Sequence, residues 1–277
     1  MVPQTLTQDV RIALAEDVGS GDLTARLISS TTFAEARIIT RESAIVCGSA
    51  WFNEVFRQLD PDVRVDWRCA EGDRVTPDQV LCVVAGSARS LLTGERSALN
   101  FLQTLSGTAT VTRRYVDAIA GTKTKILDTR KTIPGLRAAQ KYAVHCGGGQ
   151  NHRMGLYDAV LIKENHIAAA GSITLAVTAI RRLLGAEFKI EIEVENIQQL
   201  KDAVHAGVDM VLLDNMNPTM IAQAVAVANG HVLLEASGGI TLANIRDYAT
   251  TGVDFISIGA ITKHLHAIDL SMRFTSP

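Results

Sequence analysis

In the second half of the chain, short apolar runs recur roughly every 20 to 30 residues, each bounded by polar or glycine-containing segments. "TKILD" (124–128), "DAVLI" (158–162), "FKIEIEV" (188–194), "DMVLLD" (209–214), "HVLLEAS" (231–237) and "DFISIG" (254–259) predict strands. Helical stretches separate them and carry end signals. Pro134 opens one and Gly147 closes it; Asn196 with Gln199 starts another in the manner of a capping box. Asn217 followed by Pro218 begins the next, Gly230 ends it, and Thr241 opens the last full one. Strand–helix units in regular succession predict a parallel sheet. An open dinucleotide-type sheet calls for GxGxxG after its first strand, and none is present. The pattern therefore predicts an α/β barrel of six or seven strands.

The first hundred residues have a different texture. A helix is predicted over 8–18, strands over 35–40 and 44–47, and a helix over 49–59. "VRVDW" and "EGDRVTPDQVLCVVAG" follow as short strands split by Gly and Pro turns. This is the pattern of a small α+β domain. Two helices come next, "SLLTGERSALNFLQTL" and "TATVTRRYVDAIAG".

Composition narrows the partners. With 47% apolar and 20% charged residues the 277-residue chain has the profile of a soluble globular protein. A net charge of −2 gives no global attraction to nucleic acid, so any anion site must be local. Cys47, Cys69, Cys82 and Cys146 form no CxxC pair and predict reduced thiols. No apolar run is long enough for a membrane span. Asp9, Arg11, Glu16 and Asp17 interrupt the place of a signal peptide, so a cytoplasmic location is expected.

In βα barrels the working face lies at the carboxyl ends of the strands. Here those ends read Asp128-Thr129-Arg130-Lys131, Lys163-Glu164-Asn165, Glu193 to Glu195, Asp214-Asn215, Ser237-Gly238-Gly239 and Gly259-Ala260. Two carry cations, two carry carboxylates, and the last two are small. Small residues let backbone N–H groups approach a phosphate at a βα turn. "KIEIEVE" raises an electrostatic question. Carboxylates two residues apart on one strand face stand about 6.6 Å apart and repel by about 2.5 kcal/mol at an effective dielectric near 20. If Glu191 points into a barrel it needs a buried cationic partner, for which Lys189 and Lys125 are the nearest candidates. "CGGGQNHRMG" is not a phosphate-binding P-loop, because no Lys-Ser or Lys-Thr follows the glycines. Arg153 within it has the planar group that suits carboxylate or phosphate. Arg96 reads as a solvated helix residue. Lys163 at a strand end also fits a Schiff-base aldolase.

The stretches "GERSALNFLQTLSGTAT", "LDTRKTIPGLRAAQKYAVHCGGGQNHRMGLYDAVLIKENHI", "EIEVEN", "VLLDN" and "DFISIGAITKH", with "EDVGSGDLT" near the start, closely resemble the quinolinate phosphoribosyltransferase family. The resemblance runs nearly end to end, with no departure at the positions it bears on. It implies an N-terminal open-faced α/β sandwich over 1–107, joined by a tail at 265–277, and an incomplete α/β barrel over 108–264. It implies transfer of phosphoribosyl from phosphoribosyl pyrophosphate to quinolinate with decarboxylation, giving nicotinate mononucleotide for NAD synthesis. Arg130, His152, Arg153 and Lys163 would surround quinolinate, and Thr129 would also bind substrate. Lys131, Glu193 and Asp214 would serve phosphoribosyl pyrophosphate and its Mg²⁺, and Lys131, Lys163, Glu193 and Asp214 would be the catalytic set. Ser237, Gly238, Gly239, Gly259 and Ala260 would hold the 5′-phosphate. The resemblance also implies a homodimer in which Arg96 completes the neighbouring site.

Overall fold

A computed structural model describes residues 1–185 and 187–275. In chain order its elements begin with α1 (Leu6–Asp17), β1 (Phe33–Thr40), β2 (Ala44–Ile45), α2 (Ser49–Leu59), β3 (Arg64–Trp67), β4 (Arg74–Val75) and β5 (Val80–Ser87). The long α3 (Ala88–Ala118), β6 (Lys125–Leu127), α4 (Arg137–Cys146), β7 (Val160–Ile162), α5 (Glu164–Ala170) and α6 (Ile173–Leu184) follow. The chain closes with β8 (Ile190–Val194), α7 (Ile197–His205), β9 (Met210–Asp214), α8 (Pro218–Ala228), β10 (Leu233–Ser237), α9 (Ile245–Ala249), β11 (Phe255–Ser257), α10 (Ala260–Lys263) and β12 (Leu270–Phe274). Two compact units result. The first comprises residues 1–113, 132–148 and 260–277, the second 114–131 and 149–259. The expected boundary at 107/108 falls inside α3, and residues 276 and 277 of the expected tail lie outside the described residues.

In the first unit an antiparallel sheet runs in the order β12-β1-β5-β3, so a strand from the end of the chain extends the N-terminal sheet. Trp51, Phe52 and Phe56 on α2 are buried. Phe52 meets Phe56 and Trp67 at ring-centroid distances of 5.2 and 5.4 Å in edge-on geometry. Helix α3 holds the β2 segment through hydroxyls one turn apart: Ile45 N–H donates to Thr110 Oγ1 at 2.8 Å and Cys47 N–H to Ser106 Oγ at 2.9 Å. The sequence predicts a break near Gly107, but α3 runs through it as one 31-residue helix. Gly107 serves close packing instead, since a Cβ there would overlap the His266 backbone carbonyl. Helix α4 starts at Arg137 rather than Pro134 because Gly135, at φ 82°, first turns the chain.

All six predicted strands of the second unit form, and all are parallel, in the order β6-β11-β10-β9-β8-β7. The first strand pairs with the last, which is the signature of a sheet rolled into a ring. Gln150 adds a one-residue parallel bridge to Leu127 on the free side of β6. A ring of six strands, a single-residue seventh position and one open seam is an incomplete α/β barrel. The helix signals hold in detail. Asn196 Oδ1 accepts from Gln199 N–H at 2.9 Å, and Gln199 Oε1 accepts from Glu195 N–H at 2.7 Å. Asn217 Oδ1 accepts from Met220 N–H at 3.0 Å with Pro218 in the first turn. The helix expected at Thr241 begins at Ile245, because the Asn244 side chain first accepts from Thr241 N–H at 2.8 Å and holds a turn. Among the described residues no single helix is long and apolar enough to cross a membrane.

Candidate active site

Strand β6 delivers Asp128 to a fully buried position at its exit. Its oxygens accept from His152 N–H at 2.9 Å and Asn151 Nδ2 at 2.6 Å, pinning the 150s loop to the barrel. Thr129 Oγ1 accepts from Lys131 N–H at 3.0 Å, shaping the cationic turn. On the adjacent strand, Gly259 leaves room for the Lys131 stem, whose Cδ would lie 3.0 Å from an added Cβ. A glycine at this exit therefore lets a cation lie across it.

The pinned loop presents Arg153. Burial, and then the charge of Arg130, hold the Arg153 guanidinium below its ordinary value. Two guanidinium groups close enough to oppose each other make a place for an anion. His152 is engaged at both ring nitrogens: Nδ1 accepts from Arg153 N–H at 2.7 Å, and Nε2 faces Glu191 Oε2 at 2.8 Å. Nε2 therefore carries the proton and donates to Glu191.

Glu191 is buried as an inward-facing strand residue should be, but its partner is this histidine, not Lys189 or Lys125. Both lysines are exposed, where their hydrated ammonium groups are held at no desolvation cost. The remaining compensation comes from Glu235, which the sequence reading passed over. It is 1% exposed, lies beside Glu191 and Ser257, and stands 3.5 Å from His152 Nε2. Burial and the neighbouring Glu191 charge push its pKa well above the usual carboxyl range. Counted as two ionised carboxylates, the pair leaves Glu191 Oε1 and Glu235 Oε2 without hydrogen-bond partners. A proton on Glu235 donated to Glu191 removes that deficit. The three groups converge closely enough for a metal. The Nε2–H tautomer argues against one, because a ligating Nε2 would move the proton to Nδ1, facing the Arg153 N–H.

At the next exits, Lys163 Nζ pairs with Glu193 Oε2 at 2.5 Å. Asp214, which ends β9, accepts from Asn215 Nδ2 at 2.7 Å. Ser237 ends β10 and Gly238-Gly239 follow it, both at positive φ (96° and 64°). The three carboxylates of "KIEIEVE" thus have separate solutions: Glu191 on His152, Glu193 on Lys163, and Glu195 in solvent.

Thr129, Arg130, Lys131, His152, Arg153, Lys163, Glu193, Asp214, Ser237, Gly238, Gly239 and Gly259 all lie in the second unit. Arg96, exposed on α3, and Ala260, at the start of α10, belong to the first unit. Asp128 and Glu235 are the residues whose roles the sequence reading missed. For Glu235 a signal existed, an acid inside the apolar run "VLLEAS". Glu193 and Asp214 belong to neither three-donor cluster found among the described residues.

An incomplete α/β barrel with cations and carboxylates on adjacent strand exits defines an enzyme built to handle multiply charged anions. Residues 22–106 match the quinolinate phosphoribosyl transferase N-terminal domain and residues 108–273 its C-terminal domain. The chain belongs to the quinolinate phosphoribosyltransferase family. It is 44% identical over 263 residues to a probable carboxylating nicotinate-nucleotide pyrophosphorylase of Synechocystis, covering 94% of this chain and 89% of that one. It is 42% identical over 272 residues to the Mycobacterium leprae carboxylating nicotinate-nucleotide pyrophosphorylase, covering 95% of each. The solved nicotinate-nucleotide pyrophosphorylase of Francisella tularensis is similar at a TM-score of 0.95 and 49% identity, covering 99% of this chain and 98% of that one.

Proposed function

We propose that the protein transfers phosphoribosyl from phosphoribosyl pyrophosphate to the ring nitrogen of quinolinate, releasing pyrophosphate and CO₂ and giving nicotinate mononucleotide for NAD synthesis. The observation that carries the reading is the charge layout in a chain of this family. Arg130, Lys131 and Lys163 stand at strand exits with Glu193 and Asp214, and Arg153 is carried by the loop pinned to Asp128 at the exit of β6.

Arg130 and Arg153 clamp the planar carboxylates of quinolinate. His152 acts by position, tying the loop that carries Arg153 to Glu191. Lys131 and Lys163 meet phosphate and carboxylate charge. The Ser237–Gly239 and Gly259-Ala260 turns, with Thr129 nearby, take the 5′-phosphate through backbone N–H groups. Departure of pyrophosphate leaves an oxocarbenium-like sugar, which Glu193 and Asp214 stabilise electrostatically while the aligned pyridine nitrogen attacks. The ribosylated ring is cationic, so it accepts the electron pair left at C2 as CO₂ departs, and protonation there completes the product. Glu193 and Asp214 would hold Mg²⁺, which when bound would supply charge neutralisation on the pyrophosphate. Two chains form a dimer in which Arg96 reaches the neighbouring site, and the enzyme works in the cytoplasm.

The test is incubation with quinolinate, phosphoribosyl pyrophosphate and Mg²⁺, scoring CO₂ and nicotinate mononucleotide. Stoichiometric formation of both is expected. Turnover of nicotinate with none of quinolinate rejects the reading.

A further inference from the structure

Asn215 follows Asp214 at the exit of β9 with a φ of 54°, in the left-handed region that side-chain-bearing residues rarely adopt. Among the described residues Asp78 and Asn229 are the other non-glycine cases. Asn229 caps the end of α8 and Asp78 sits in a tight turn. Asn215 does neither. Its conformation serves three contacts instead. The side-chain Nδ2 donates to Asp214 Oδ2 at 2.7 Å. The backbone N–H donates to Ser237 O at 2.9 Å, across the gap between two adjacent strand exits. The side-chain Oδ1 lies against Gly238, where any Cβ would overlap it. One residue therefore joins the carboxylate at one exit to the glycine turn at the next.

We infer that Asn215 is a positioning residue that fixes the Asp214 carboxylate relative to the Ser237–Gly239 turn. The inference rests on the functional reading above, in which Asp214 serves the ribose and pyrophosphate end of the substrate and the turn serves its 5′-phosphate. Those two ends of phosphoribosyl pyrophosphate are a fixed number of bonds apart, so the groups that hold them must keep a fixed separation. A half-buried aspartate at a strand end can rotate. The Asn215 amide takes Oδ2, orients the group, and leaves Oδ1 for the ligand. The left-handed backbone turns the same amide toward both neighbours at once. The absence of a side chain at 238 is the matching half of the arrangement.

The test measures phosphoribosyl pyrophosphate binding by calorimetry without quinolinate, then kcat and KM for both substrates. Asn215→Gly keeps the left-handed backbone available and removes the amide, and Asn215→Ala removes the amide with a side chain retained. Both should weaken phosphoribosyl pyrophosphate binding by about tenfold or more, the worth of a hydrogen bond to a charged group. KM for quinolinate should stay within about twofold of the parent. Asn215→Gly should unfold at a temperature close to the parent's. Asp214→Asn should weaken binding as well, and adding Asn215→Ala to it should produce no further loss. Parent-like binding by Asn215→Gly would overturn the inference, because backbone shape alone would then suffice. Losses that multiply in the double variant would overturn it too. If the parent binds phosphoribosyl pyrophosphate in an Asn215-dependent way but leaves quinolinate untouched, the functional reading falls and the positioning role stands.

Discussion

At the scale of single residues, the barrel interior makes a sharp forecast about acidity. Glu235 holds its proton in the folded chain well above the ordinary glutamate value of 4.5, whereas the unfolded chain releases it there. A folded state that binds the extra proton is stabilised below that value, and the benefit drains away as pH rises toward the raised pKa. Glu235→Gln keeps a neutral donor of the same shape. Its unfolding temperature should fall less than the parent's between about pH 5 and pH 8, a comparison that thermal scans across pH settle. A second forecast concerns the ion pair at the exits. Lys163→Ala should lower kcat/KM for quinolinate by about 100-fold or more, read from initial rates, because the proposed site loses a fixed charge. The cysteines make a third. Cys146 is held below the usual thiol range, chiefly by hydrogen bonding from Cys47, while burial pushes Cys47 and Cys82 up and Cys69 to about 11. Iodoacetamide should label Cys146 first, as peptide mass mapping would show.

At the scale of elements, what could be read from sequence divides along a physical line. Strands β6 to β11 and the Asn196 and Asn217 caps were legible, because period, apolar run length and capping chemistry are local properties. The continuity of α3 was not. Gly107 interrupts a helical pattern in sequence, and only the approach of the 265–266 segment explains why it is glycine. The partner of Glu191 was hidden for the same reason: His152 lies 39 positions away and reaches it through a loop held by Asp128. Pairings between distant segments leave no periodic trace. Gly107→Ala makes the point measurable. Helix propensity alone favours the alanine by about 1 kcal/mol. The collision with the His266 carbonyl should reverse that, costing about 1–3 kcal/mol net in urea unfolding.

At the scale of the whole molecule, the proposed dimer has its own test. Arg96→Ala and Lys163→Ala chains, each inactive alone, should regain part of the activity when mixed and allowed to exchange subunits, as rate assays on the mixture would detect. No recovery despite proven exchange would place Arg96 outside its partner's site. The seam of the barrel carries one last consequence, and it is mechanical. Strand β6, with its one-residue bridge to Gln150, and strand β7 flank the slit of a split ring, and their exits lead to Arg130 and Lys163. A closed hoop can widen only by breaking ladder bonds, whereas a split one can flex at the slit while every rung stays intact. Its bore is thus the most compliant dimension of the second unit. Deuterium uptake at Val160–Ile162 should outpace that at Val211–Leu213 in the ring's middle, and a polyanion spanning the lips should slow it like a clasp.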